Sequence, residues 1–197
     1  MRVHVVHGIM DPVGTSGLLR LVPYLRQAGF DCKVPDYGLI TAEEARIANP
    51  LIVRTLLPYI EPGDLWVGHS NGCALGYEAL RAGAPLAGLV LINAALKRDI
   101  ELPAGVWAHV YYNAGDDATV AAEAGRVLGL TDPNWGDMGH YGYSGSNPNI
   151  MSVDCANRAG MPRCWGHSDL FEPVPLPVWG PYIPARMNVR VGRTLAG

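Results

Sequence analysis

The sequence predicts an α/β fold in three layers, with a mostly parallel central sheet covered by helices on both faces. Three observations lead there. Short, β-branched apolar segments alternate with helical patterns through the first two-thirds of the chain. Those segments are apolar at consecutive positions, the mark of strands buried on both sides, as parallel strands are. With 197 residues, 49% hydrophobic and 17% charged, the chain can also bury a sizeable core. Neither a linker nor an internal repeat divides it, so residues 1–197 read as one domain with an irregular, Pro- and Gly-rich part from about residue 131 onward.

The elements follow in order. Arg2-Val3-His4-Val5-Val6 is a β-branched run ended by His7-Gly8. Leu18, Leu19, Leu21, Val22 and Leu25 have helical spacing up to Gly29, with Pro23 placed to kink the pattern. Residues 30–34 form a second short strand. Thr41-Ala42-Glu43-Glu44 has the form of a capping box, and the helix it opens is expected to break or restart at Pro50 before continuing to Ile60. Leu65-Trp66-Val67 is a third strand, and residues 73–80 form the helix behind it. Residues 86–93 and 106–112 give a fourth and a fifth strand, followed by an amphipathic helix over 118–128 that Gly129 stops. After Thr131 the pattern dissolves. Only residues 150–153 resemble a strand, and the proline-spaced stretch 173–184 is expected to be an extended tail.

Composition narrows the function. A net charge of −3 gives no electrostatic case for nucleic acid or an anionic membrane. No apolar run is long enough for a transmembrane segment. The N-terminus enters a strand directly without a signal-peptide pattern, so a cytoplasmic protein is the expectation. Cys32 and Cys73 lie in apolar segments. Cys155 and Cys164 bracket a loop, where they are either bridged or free. None of the four forms a metal-type motif, so no cofactor or metal is called for.

The chemistry centres on Gly68-His69-Ser70-Asn71-Gly72, which matches G-x-S-x-G between a strand and a helix. A serine on such a turn is crowded by neighbouring backbone, so small residues must flank it. In return its hydroxyl is exposed beside a helix N-terminus whose N–H groups can stabilise an oxyanion. Serine needs a base, and the base an orienting acid, both from loops at the carboxyl ends of strands. The acid comes from Asp116-Asp117 after the fifth strand. Asp117 is preferred for its spacing to the helix start at Thr119 and Val120, with Asp116 the alternative and Asp117 then an N-cap. Of six histidines, His4 and His109 lie within strands, His69 packs beside the elbow, and His7 shapes the loop after the first strand. His167, in Trp165-Gly166-His167-Ser168, is favoured as the base over His140. The second oxyanion donor is expected from His7-Gly8-Ile9-Met10, with Ile9 preferred beside Asn71 and Met10 possible.

Together these residues resemble the α/β-hydrolase superfamily, of the small, lidless lipase- and esterase-like kind. The likeness rests on His7-Gly8, Gly68-His69-Ser70-Asn71-Gly72, the Asp117 segment and Gly166-His167-Ser168, in the order Ser, Asp, His that the family uses. It implies a minimal form of the fold whose first two strands are absent. It also implies Ser70 as nucleophile, His167 as general base and acid, Asp117 as orienting acid, and Ile9 and Asn71 as the oxyanion hole. The short connection after the fourth strand leaves no room for a helical lid.

The function expected on this basis is hydrolysis of a small-molecule carboxylic ester or thioester through an acyl-enzyme, with amide hydrolysis open to the same machinery. Trp135, Tyr141, Tyr143, Trp165 and Phe171 are candidates for the acyl pocket or, equally, loop anchors. A binding protein on the same fold is the alternative from another class. A flavodoxin-like nucleotide binder is disfavoured, because neither G-x-G-x-x-G nor a P-loop follows the first strand.

Overall fold

A computed structural model describes residues 1–9 and 16–192. Six strands, β1 (Arg2–Val6), β2 (Asp31–Lys33), β3 (Leu65–His69), β4 (Gly88–Ile92), β5 (Trp107–Tyr112) and β6 (Ile150–Asp154), form one sheet in the order β2-β1-β3-β4-β5-β6. Every pairing is parallel, with Val5 opposite Val67, Val67 opposite Val90 and Val90 opposite His109. The order reverses between β1 and β3, which leaves a crevice at the carboxyl ends of these two strands. Open α/β sheets place their sites at such a reversal.

Strand alternation divides the core in two. Val3, Val5, Leu65, Val67, Val90 and Ile92 point to one face, and Val6, Trp66, Leu89 and Leu91 to the other. The first face is covered by α1 (Val22–Gln27) and α6 (Leu176–Arg190), the second by α2 (Ala42–Leu56) and α3 (Asn71–Arg81). Two further helices, α4 (Asp117–Val127) and α5 (Met138–Tyr141), lie after β5. Their side of the sheet is the second, since Ala122 and Met138 join that core.

Three local expectations are corrected. The pattern over 16–28 divides into a 3-10 turn, Gly17–Leu21, and then α1, with Pro23 in the first turn of α1, where a missing N–H costs little. Pro50 does not break α2, which runs unbroken to Leu56. The Thr41–Glu44 capping box closes its N-terminus as anticipated, and Ala45, Asn49 and Val53 form one buried stripe across the proline. The stretch 173–184 is no extended tail: most of it belongs to α6, which holds Pro181 and Pro184 in its interior. An interior proline costs about 3 kcal/mol. Trp179, Ile183 and Met187 lie at helical spacing and are completely buried, each worth roughly 1.5–3 kcal/mol. Packing outweighs propensity here. Gly180 permits the contact, since a Cβ at that position would fall 2.8 Å from the Tyr24 ring of α1.

Cys155 and Cys164 are free, buried thiols whose backbones are joined by the Cys164 N–H to Cys155 carbonyl bond of 3.0 Å. Among the described residues no helix is long and apolar enough to cross a membrane.

Candidate active site

Ser70 follows β3 as the N-cap of α3, with φ +55° and ψ −123°, a conformation that L-residues rarely adopt and that the surroundings must enforce. The enforcement is visible at its glycines. A Cβ on Gly68 would sit 2.6 Å from the Gly72 carbonyl oxygen, and one on Gly72 would sit 2.1 Å from the Val6 carbonyl oxygen. The turn therefore presses directly on β1. Helix α3 begins at Asn71, so the N–H groups of its first turn, which lack intrahelical acceptors, lie beside the serine.

Ser70 opens onto a cavity of about 400 Å³, lined also by Gly8, Ile9, Arg20, His167 and Phe171. The loop after β1 passes close to the serine: a Cβ on Gly8 would be 3.0 Å from Ser70 Cβ. Tyr37 holds this loop, with its hydroxyl 2.5 Å from the His7 carbonyl oxygen, 3.0 Å from that of Gly8, and its ring stacked on His7. Ile9 borders the cavity; Met10 lies outside the described residues.

His167 reaches the cavity from the loop before the 3-10 turn Asp169–Phe171. Its Nδ1 lies 2.7 Å from Asp116 Oδ1. With Nδ1 donating to that carboxylate, Nε2 is left as the acceptor. The acid partnered with His167 is thus Asp116, and the preference for Asp117 is corrected. Asp116 is the N-cap of α4; its Oδ1 also accepts the Thr119 N–H at 3.3 Å, and the residue is wholly inaccessible. An N-cap side chain turns back over the helix start, here toward the sheet, whereas the next residue already points outward. The Asp117 side chain is accordingly 94% exposed, and the imidazole it approaches is that of His140, at 4.0 Å. His140 does not border the cavity.

The His167 loop is fastened from several elements that the sequence pattern does not connect to it. His69 Nε2 is 2.9 Å from the His167 carbonyl oxygen, and the two rings are 4.7 Å apart. Burial above all pushes the His69 imidazole down to about 3. It is therefore neutral, with Nε2–H as the donor. Asn93 and Asn113 both donate to the Gly166 carbonyl, at 3.4 and 3.3 Å, and Asp169 accepts from the Trp165 and Gly166 N–H groups. Gly115 lets the loop after β5 touch this segment, since a Cβ there would fall 1.7 Å from the Trp165 carbonyl oxygen.

Of the aromatic candidates, Phe171 borders the cavity and the other four do not. Trp135 is buried on the α2–α3 side as a loop anchor, Tyr143 packs partly buried against the same core, and Tyr141 and Trp165 are exposed. Among the described residues no group of three His, Cys, Asp or Glu side chains is placed to hold a metal ion.

No protein-family model matches the chain, and no curated protein matches it by sequence. Solved structures do. A hydrolase of the alpha/beta superfamily from Xanthomonas campestris pv. campestris is 14% identical with a TM-score of 0.53, covering 98% of this chain and 99% of that one. Monoacylglycerol lipase from Paleococcus ferrophilus is 13% identical with a TM-score of 0.56, over 98% and 95%. Mouse alpha/beta hydrolase domain-containing protein 10 is 11% identical with a TM-score of 0.62, over 95% and 90%. The parallel sheet, its strand order and these likenesses agree: the chain has the α/β-hydrolase fold, with a six-stranded, all-parallel sheet among the described residues.

Proposed function

We propose that this chain is a serine hydrolase that cleaves carboxylic esters or thioesters through an acyl-enzyme. The observation that supports this best is the convergence at one cavity of the strained Ser70 and of His167, itself tied to the buried Asp116 carboxylate. The names of the structural neighbours, a hydrolase of the alpha/beta superfamily and a monoacylglycerol lipase among them, agree with it.

In this reaction Ser70 Oγ attacks the acyl carbon while its proton passes to His167 Nε2. The negative charge on the acyl oxygen is met by the backbone N–H groups of Asn71 and Ile9. Asp116 holds His167 in the tautomer that accepts the proton and stabilises the imidazolium that results. The bond to the leaving oxygen or sulfur then breaks, and His167 returns the proton to the departing alcohol or thiol. Water, deprotonated by His167, attacks the acyl-enzyme, releases the carboxylic acid and restores the Ser70 hydroxyl. The connection 93–106 between β4 and β5 carries no helix, in keeping with a site that has no lid at that position.

The test is labelling with a fluorophosphonate probe, followed by turnover of p-nitrophenyl esters of graded acyl length and of one thioester. Folded wild-type protein should be labelled and Ser70→Ala should not. Folded wild-type protein that resists the probe, or a Ser70→Ala variant that still reacts, would overturn the proposal.

A further inference from the structure

The Asn71 side chain does not border the cavity that Ser70 faces. It points the other way, into a buried polar cluster between α2, α3 and the segment 131–137. Asn71 and Asn49 are both 0% exposed and exchange two amide bonds, Asn49 Nδ2 to Asn71 Oδ1 at 2.8 Å and Asn71 Nδ2 to Asn49 Oδ1 at 2.9 Å. Trp135 Nε1 donates to the same Asn71 oxygen at 2.8 Å. Asn49 is fixed in turn by its second donated bond, to Asp132 Oδ2 at 2.7 Å. The next residue of the elbow is tied as well, since Trp66 Nε1 donates to the Gly72 carbonyl at 2.8 Å.

A paired, fully buried amide has one arrangement that satisfies it, because any rotation leaves polar atoms unpaired where water cannot reach them. Clamping the side chain of the residue after the nucleophile also clamps the direction of that residue's backbone N–H. An oxyanion donor has to be aimed before the charge develops, and a small misplacement is costly. We infer that Asn49, Trp135 and Asp132 are positioning residues, which through the Asn71 side chain hold its backbone N–H at the oxyanion site. This rests on the proposed role of that N–H.

The experiment compares Asn49→Leu, which removes the amide at similar volume, and Trp135→Phe, which removes the Nε1 donor while keeping a ring. Each is assayed well below its own melting temperature, with circular dichroism to confirm the fold. Both should lower kcat on a p-nitrophenyl ester about 10- to 100-fold, with KM within about twofold, as expected for a misaimed oxyanion donor. Affinity for a trifluoromethyl ketone, whose adduct with Ser70 carries the oxyanion, should fall by the same factor as kcat. Asn71→Ala should match Asn49→Leu, and the double variant should be no worse than either alone. A cluster that serves only stability would lower the melting temperature and leave kcat and ketone affinity unchanged, which overturns the inference. Should Asn49→Leu fail to fold, Trp135→Phe decides alone. Wild-type protein that resists the fluorophosphonate would instead bring down the underlying hydrolase proposal, whereas a labelled wild type with unaffected variants brings down this inference alone.

Discussion

Replacing Asp116 by Asn removes the charge facing His167 and little else. The carboxylate has two tasks, since Oδ1 accepts both the His167 Nδ1–H at 2.7 Å and the Thr119 N–H that opens α4. Asparagine retains an oxygen for the cap, so the roughly 0.5–2 kcal/mol that alanine would cost at an N-cap is largely spared. What is lost is the acceptor that fixes the His167 tautomer and the charge that stabilises its imidazolium. That charge sits where no solvent screens it, because the residue is wholly buried. Losses of about 10⁴-fold accompany the same change in serine-protease triads, equivalent to about 5.5 kcal/mol of transition-state stabilisation. Asp116→Asn is therefore expected to lower kcat on a p-nitrophenyl ester by about 10³- to 10⁴-fold, with KM changed much less. The matched control is Asp117→Asn, whose side chain is 94% exposed and directed away from His167; its turnover should stay within about twofold of wild type. Steady-state kinetics on both variants, with melting curves for each, checks the pair. Normal turnover in Asp116→Asn, or collapse in Asp117→Asn, would refute the assignment of the acid.

His167→Ala should reduce ester turnover by at least about 10³-fold while His140→Ala changes it little, and the opposite ranking in the same assay would exchange their roles. Gly72→Ala should fail to reach the native fold or lose several kcal/mol of stability in denaturant titration, because its Cβ would lie 2.1 Å from the Val6 carbonyl oxygen. Burial, reinforced by Asp132 and opposed by Asn134 and Arg81, raises the Glu78 carboxyl from 4.5 to about 7. A raised carboxyl favours the protonated folded form, so its contribution is complete below pH 4.5 and is lost as pH climbs through about 7. Glu78→Gln should flatten that fall in urea-unfolding stability between pH 4.5 and 7, and an unchanged slope would show that Glu78 is not its source.

Much of the fold was legible because its signals are local. A strand buried on both faces must be apolar at successive positions, so β1, β3, β4 and β5 are visible as runs. The elbow is local in its motif and in part in its cause: the clash that requires Gly68 arises within a few residues of Ser70, whereas the one that requires Gly72 comes from the distant β1. Helix α6 was illegible for the opposite reason. Its prolines argue against a helix, and the burial of Trp179, Ile183 and Met187 that overrules them depends on a sheet face assembled from distant segments.

Within the site, the sequence alone determined the serine, the loop after β1 and the late histidine as candidates, since each stands in a short motif with its own backbone logic. Only the tertiary structure decided between Asp116 and Asp117. Adjacent residues at a helix start share composition and spacing, and what separates them is the direction of the side chain, inward at the N-cap and outward one residue later. The same holds for Asn49, which sits 22 residues before its partner Asn71 and directly before the proline inside α2. A buried hydrogen bond between distant residues leaves no periodicity in the chain, because the need for a partner arises only when folding takes both groups out of water together.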